Sequence, residues 1–228
     1  MAVTSLWIAV NMLQLEMCRV LIAHGANVDL GSDASLTLLL ACDKGSTEIG
    51  EAIVRTNFSS KFFAISVTLL VENGVNVNLG DSEGATPTMN TSRSGNTEIL
   101  RFLLSHGANI DQMDNSGTRF ALLNAAANGH LEVCRLLVDE WAADVNQQAI
   151  DGITALIGAC IRGRLDITVF LIEHGAGIDH ADMDGYNALM WAAKEKNIEI
   201  TRHLLAIGAN ADHMGIDADK MLFKILKV

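Results

Sequence analysis

The chain has 228 residues, a net charge of −11 and a pI of about 4.9. That acidic balance disfavours nucleic acid and anionic membrane surfaces as partners and leaves basic or neutral protein surfaces. Half the residues are apolar, yet no apolar run approaches the ~18 residues that span a bilayer, and no charged stretch precedes an apolar run at the N-terminus, so neither membrane insertion nor a secretion signal is expected.

In chain order, the first predicted helix is capped by Thr4 and carries Leu6, Ala9 and Val10. A second runs from Glu16 to His24 and stops at Gly25, where a residue without Cβ takes φ > 0 at least cost. No turn precedes the first helix, and Trp7 and Ile8 give it an apolar cast. An earlier unit is therefore expected to be lost or the array truncated.

LLLACDKGSTEI (Leu38–Ile49) predicts another helix and turn, with Gly45 between helices. GEAIVRTNFSSKFFAIS (Gly50–Ser66) then intervenes. Without those 17 residues the join is STEI–VTLLVENGVNVN, a regular second helix ending at Gly74. The segment carries Phe58, Phe62 and Phe63 and shows no turn-rich or acidic bias. Its ends are compatible with splice signals, so it is expected to be a translated intron and not native structure. The alternative is a genuine functional loop.

Thr86 and Pro87 predict the cap and first position of the next helix, with Gly95 separating it from the second. ALLNAAANGHLEVCRLLVDEWAADVN follows, in a stretch with one extra residue near Arg119 and one near Trp141, and with Ala142 at the terminating Gly position. DGITALIGACIRGRLDITVFLIEHGAGID (Asp151–Asp179) is then repeated as DGYNALMWAAKEKNIEITRHLLAIGANAD (Asp184–Asp212), at a constant offset of 33 residues. A fixed period of this size marks a stacked-repeat architecture. In His213–Val228, Met221, Leu222, Ile225 and Leu226 form one apolar face of a closing half-cap.

The Asp-x-Gly turn, Thr-Pro-Leu-like helix start, Ala-Ala pair and closing Gly-Ala resemble the ankyrin repeat. The resemblance implies an all-α solenoid of stacked helix–turn–helix units with hairpin-like turns. It would hold about six repeats and a half-repeat in a single domain, 1–228. Repeat one covers 1–29; two, 30–78 with the insert 50–66; three, 79–111; four, 112–146; five, 147–179; six, 180–212; the half-repeat, 213–228. Only repeat three keeps Thr-Pro; five has Thr-Ala and six Asn-Ala, and the usual His after Leu is replaced by Met89, Leu123, Ile157 or Met190. These replacements predict the loss of turn-fixing hydrogen bonds.

No Walker loop, dinucleotide fingerprint, nucleophile elbow or His-Glu-x-x-His occurs, so no catalysis and no cofactor are expected. His24, His106 and His174 precede the terminal Gly of second helices, where the helix dipole and free carbonyls favour His. His180 and His213 recur on successive turns, but that spacing is too long for one zinc with bonds of about 2 Å. Asp182 and Asp184 are turn formers. Cys18 with Cys134, and Cys42 with Cys160, recur at small core positions and are expected as buried free thiols of an intracellular, reducing compartment, cytosolic or nuclear.

The resemblance implies a non-catalytic, monomeric scaffold that binds a partner protein through hairpin tips and concave first-helix faces. A second reading is the regulatory or substrate-recruiting part of a larger enzyme. Non-consensus positions then mark the candidate surface. They are Met113 and Asn115; Gln148 and Ile150; His180 and Met183; Met214; and, before the Ala pair, Trp191. Met113, Ile150, Met183 and Trp191 are expected on one side, since Met suits adaptable surfaces and Trp is enriched at hot spots.

Overall fold

The computed structural model describes residues 5, 8, 9, 14–26 and 59–210. The expectations for residues 27–58, for most of the first helix of repeat one and for the half-repeat 213–228 lie outside the described residues. The chain divides into two compact units, Met1–Ser116 and Gly117–Val228. All regular elements among the described residues are helical.

In the first unit the helices are α1 (Leu15–Ala23), α2 (Ser59–Glu72), α3 (Pro87–Ser94) and α4 (Thr97–Ser105). Helices α1, α2 and α4 are second helices of successive repeats. They share a core of Cys18, Val67, Leu70, Val75, Ile99 and Leu103. Gly25 takes φ +80° just after α1, as its C′ position requires. Thr86 caps α3 by accepting the Met89 amide, with Pro87 at the first position, and Gly95 closes it at φ 78°.

The insert enters this unit by lengthening α2. That helix has 14 residues against nine in α1 and α4, and its first eight, 59–66, belong to the insert. Ser66 is buried and directly precedes the buried Val67. Four other second helices place Ile99, Val133, Ile167 and Ile200 at this position, all buried. A small polar side chain therefore stands where the repeat buries an aliphatic one. Removal of residues 50–66 would bring Ile49 to that place.

A second polar departure lies in α3. Thr88, Thr91 and Ser92 are buried, at positions that Leu156, Ala159 and Cys160 fill in repeat five. Thr91 donates to the Pro87 carbonyl at 2.7 Å. The Thr88 and Ser92 hydroxyls are buried without a hydrogen-bond partner among the described residues.

In the second unit the first helices are α5 (Ala121–Asn128), α7 (Ala155–Ile161) and α9 (Ala188–Lys194). Both α5 and α9 pack against α7. Ala125, Ala126, Ala159, Ala192 and Ala193 are fully buried in the contact, because small side chains let the helices approach. Gly158 carries this furthest: a Cβ there would meet Leu123 Cδ1 at 2.5 Å. The second helices are α6 (Leu131–Arg135), α8 (Leu165–Glu173) and α10 (Ile198–Ala206), which bury Leu171 and Leu204.

Ile157 and Met190 offer no imidazole to fix the turn, but the helix cap itself is kept in repeats five and six. Thr154 accepts the Ile157 amide at 3.2 Å, and Asn187 accepts the Met190 amide at 3.0 Å. Asn is as competent a cap as Thr, and its amide also donates to the Asn210 carbonyl. Repeat four, with Phe120 at the cap, has no side-chain cap bond.

The extra residue near Trp141 is absorbed as a π-helical turn, Leu136–Glu140, which continues α6. Widening the turn keeps Leu136 and Leu137 in the core. Ala142 then ends the helix at φ 53°, a left-handed conformation that the equivalent Gly175 adopts without a Cβ.

Repeats are also stitched through side chains. Asn146 donates to the Gly175 carbonyl and accepts the Gly177 amide. In the first unit Asn78 does the same with Gly107 and Asn109.

Candidate functional site

Among the described residues of the second unit, successive hairpin tips are tied together by backbone. The Ile150 amide donates to the Gly117 carbonyl at 2.7 Å, and the Met183 amide to the Asp151 carbonyl at 2.9 Å. Gly152 makes the second contact possible. It has φ +82°, and a Cβ there would lie 2.7 Å from Asp182 Cα. The tips consequently stack, and their side chains are carried outward together.

Asp182 joins the last of these tips to helix α9. Its Oδ1 accepts the Asp184 and Tyr186 amides at 3.0 and 2.8 Å. Its Oδ2 accepts the indole Nε1–H of Trp191 at 2.7 Å. The Trp191 ring lies 5.4 Å from the Tyr186 ring, and Lys194 Nζ sits 4.1 Å from the first and 4.7 Å from the second. Such an ammonium–ring contact contributes about 0.5–1 kcal/mol at an exposed site. Trp191 is thus half-buried and held at three points. Sequence reasoning missed the Asp182–Trp191 bond, because the pair is nine positions apart and runs from a turn to a helix.

Ile150 and Met183 are the two most exposed large apolar side chains among the described residues, at 67% and 80%. Gln148 and His180 are exposed beside them, at the start of each tip. Gln148 pairs with Thr154, and Ala181 with Asn187, as isolated bridges that close the tips. Met113, half-buried, and Asn115, exposed, belong to the first unit. Asn115 is anchored there by its amide to the Glu83 carbonyl and by its side chain to Ser82. Met214 lies outside the described residues.

The histidines before the terminal glycines are helix-end groups. Nδ1 of His24, His106 and His174 donates to the carbonyl four residues back at 2.8, 2.8 and 2.7 Å. His174 Nε2 also lies 3.0 Å from Asp139 Oδ1, so the π turn brings repeats four and five together at this point. Cys134 and Cys160 are fully buried, and desolvation pushes both thiols up to about 12. Cys18 is raised for the same cause; Cys42 lies outside the described residues. Inert thiols of this kind offer no nucleophile.

A cleft of about 460 Å³ lies between the helix-to-helix turns of repeats five and six, lined by Gly163, Leu165, Asn197 and Ile198 among others. Its walls carry no nucleophile–base pair. Among the described residues no group of His, Cys, Asp or Glu could hold a metal ion, and no helix is long and apolar enough to cross a membrane.

A family model described as ankyrin repeats (3 copies) matches residues 60–149 and 122–214. The chain belongs to the ankyrin-repeat family. Ankyrin repeats are in general protein-interaction modules and are not themselves catalytic. Among similar ankyrin-repeat proteins, a B-cell lymphoma 3 protein homolog of Mus musculus is 31% identical over 76% of this chain and 36% of its own length. A probable E3 ubiquitin-protein ligase of Oryza sativa is 28% identical over 50% of this chain and 29% of its own. A putative ankyrin repeat-containing protein of Treponema pallidum is 34% identical over 48% and 37%. The chain spans about a third of the length of these relatives.

Proposed function

We propose that this ankyrin-repeat chain is a non-catalytic scaffold that binds a partner protein through its hairpin tips and first-helix faces. The observation that carries the reading is the stacked pair of tips with Ile150 and Met183 at 67% and 80% exposure beside the fixed aromatic group of Tyr186 and Trp191. Exposed apolar side chains on a rigid frame have no folding role here, and anchors held in place lose little entropy on binding. Gln148 and His180 form the polar margin. Met113 and Asn115 are proposed as tip contacts of the first unit, and Met214 as a further one. The chain acts as a monomer in a reducing intracellular compartment, a reading supported by buried free Cys18, Cys134 and Cys160.

The test is site-specific photo-crosslinking in cells, with the reactive group at Met183 or, as control, at the exposed Glu173 on helix α8. A protein adduct at Met183 and none at Glu173 is expected. Adducts at Glu173 alone would move the binding face to the second helices.

A second reading is favoured by the similarity to the rice E3 ubiquitin-protein ligase, of which this chain covers 29%. In it, the repeats recruit a substrate or regulate an enzyme whose catalytic part lies outside these residues. Full-length transcript sequence separates the two readings. An appended catalytic domain supports the second, and stop codons on both sides support the first.

A further inference from the structure

Resting on the protein-binding reading above, we infer that the hairpin surface of repeats five and six takes a partner segment in which Lys or Arg side chains flank bulky apolar ones. Two sets of observations meet there. The first is the apolar pair, Ile150 and Met183, which the Met183 amide to Asp151 carbonyl bond holds on adjoining tips. The second is the charge around that pair. Asp151 and Asp184 are exposed. Asp151 Oδ1 accepts the Ile153 amide, and its carboxylate makes no ion pair among the described residues. The Asp184 carboxylate has no hydrogen bond or ion pair there. Asp182 is consumed by two backbone amides and the Trp191 indole. Lys194, on helix α9, is already held over the Tyr186 and Trp191 rings.

An acidic segment would meet two carboxylates that make no ion pair among the described residues, and the field of a chain whose net charge is −11. A purely apolar one would cover the carboxylates without replacing their water, at a cost for each. A segment with both features satisfies the surface. Its apolar side chains cover Ile150 and Met183 and supply affinity. Its cations face Asp151 and Asp184 at the rim, where they raise the association rate and exclude acidic competitors more than they tighten the complex.

The experiment uses the full chain, labelled at methionine ε-methyls and at nitrogen, with three synthetic peptides of equal length as probes. One alternates Lys with Leu; in the second Glu replaces Lys; in the third Ser replaces Leu. The Lys–Leu peptide is expected to shift the Met183 methyl and the Trp191 indole N–H, and the other two to shift neither. Ile150→Ser with Met183→Ser should weaken the Lys–Leu peptide about tenfold. Asp151→Asn with Asp184→Asn should weaken it about fivefold at low ionic strength and flatten its salt dependence. Unchanged melting of both double variants shows that the fold is intact. An unshifted Met183 methyl, equal binding of the Lys and Glu peptides, or less than a twofold change in both variants overturns the inference. A cellular partner that crosslinks at Met183 through an acidic or uncharged segment leaves the scaffold reading standing and overturns this one alone.

Discussion

Asp182 and Trp191 are joined by a 2.7 Å hydrogen bond from the indole Nε1–H to Oδ2, while Oδ1 of the same carboxylate accepts two turn amides. One side chain therefore fixes the hairpin tip of repeat six and pins it to helix α9. The geometry divides two residues that the sequence alone groups together. Trp191 is part of the frame as well as the surface, whereas Met183 is 80% exposed and part of the surface alone.

Three substitutions test that division. Asp182→Ala should cost about 2–3 kcal/mol, since it strands two backbone amides and an indole N–H. Trp191→Ala should lower the melting temperature, and Met183→Ala should leave it unchanged within error. Urea unfolding and thermal melting of the three variants read this directly. Equal, negligible effects for all would show that the turn needs no such pin.

The repeat was legible because core packing imposes it. Leu156 and Leu189, or Ala159 and Ala192, recur since each repeat buries the same surface against its neighbour. Capping was legible where Thr precedes Pro; that Asn187 does the same work is seen only in the structure. Lys196 at φ 62°, in the place of Gly163 and Gly129, is visible only once the backbone is seen. So is the π turn that absorbs one extra residue at Leu136–Glu140. In the site, the tip positions of Ile150 and Met183 followed from the period. The tie between Asp182 and Trp191 did not, because it runs from a turn to a helix and leaves no periodic trace.

Helix α3 carries a removable cost. The Thr88 hydroxyl is buried with no hydrogen-bond partner among the described residues, at a position where α7 has Leu156. Thr88→Val keeps the shape and removes the stranded group. Stability to urea should rise by about 1 kcal/mol. A loss of stability would mean that the hydroxyl is satisfied in solution.

The insert offers a larger effect. Ordering residues 59–66 in helix α2 costs roughly 1–2 kcal/mol each in backbone entropy. It also leaves Ser66 at the aliphatic position that Ile99, Val133, Ile167 and Ile200 fill elsewhere. Deletion of 50–66 returns Ile49 to that place. The shortened chain should melt higher, by about 2–4 °C for each kcal/mol gained. A lower melting point, or a transcript that always retains the segment, would make it a genuine functional part of repeat two.

The buried thiols set a limit in alkali. Burial raises Cys134 and Cys160 from 9.0 to about 12 in the folded chain. Their contribution to stability is therefore complete below pH 9 and is lost as pH rises from there towards 12. In a Cys42→Ser background, thiol reagent at neutral pH should label the native chain slowly and the unfolded chain fully. Rapid labelling of the native chain would contradict the burial.

The central claim is that binding runs through the hairpin tips of the second unit. Its most direct test is the affinity of the crosslinked partner, purified, for two double variants measured side by side by calorimetry. One is Ile150→Ala with Met183→Ala. The other is Glu173→Ala with Arg162→Ala, two exposed side chains away from the tips. The account predicts a loss of at least about tenfold for the first and less than about twofold for the second, at equal melting temperatures. An unchanged affinity for the first, or a greater loss for the second, would contradict it.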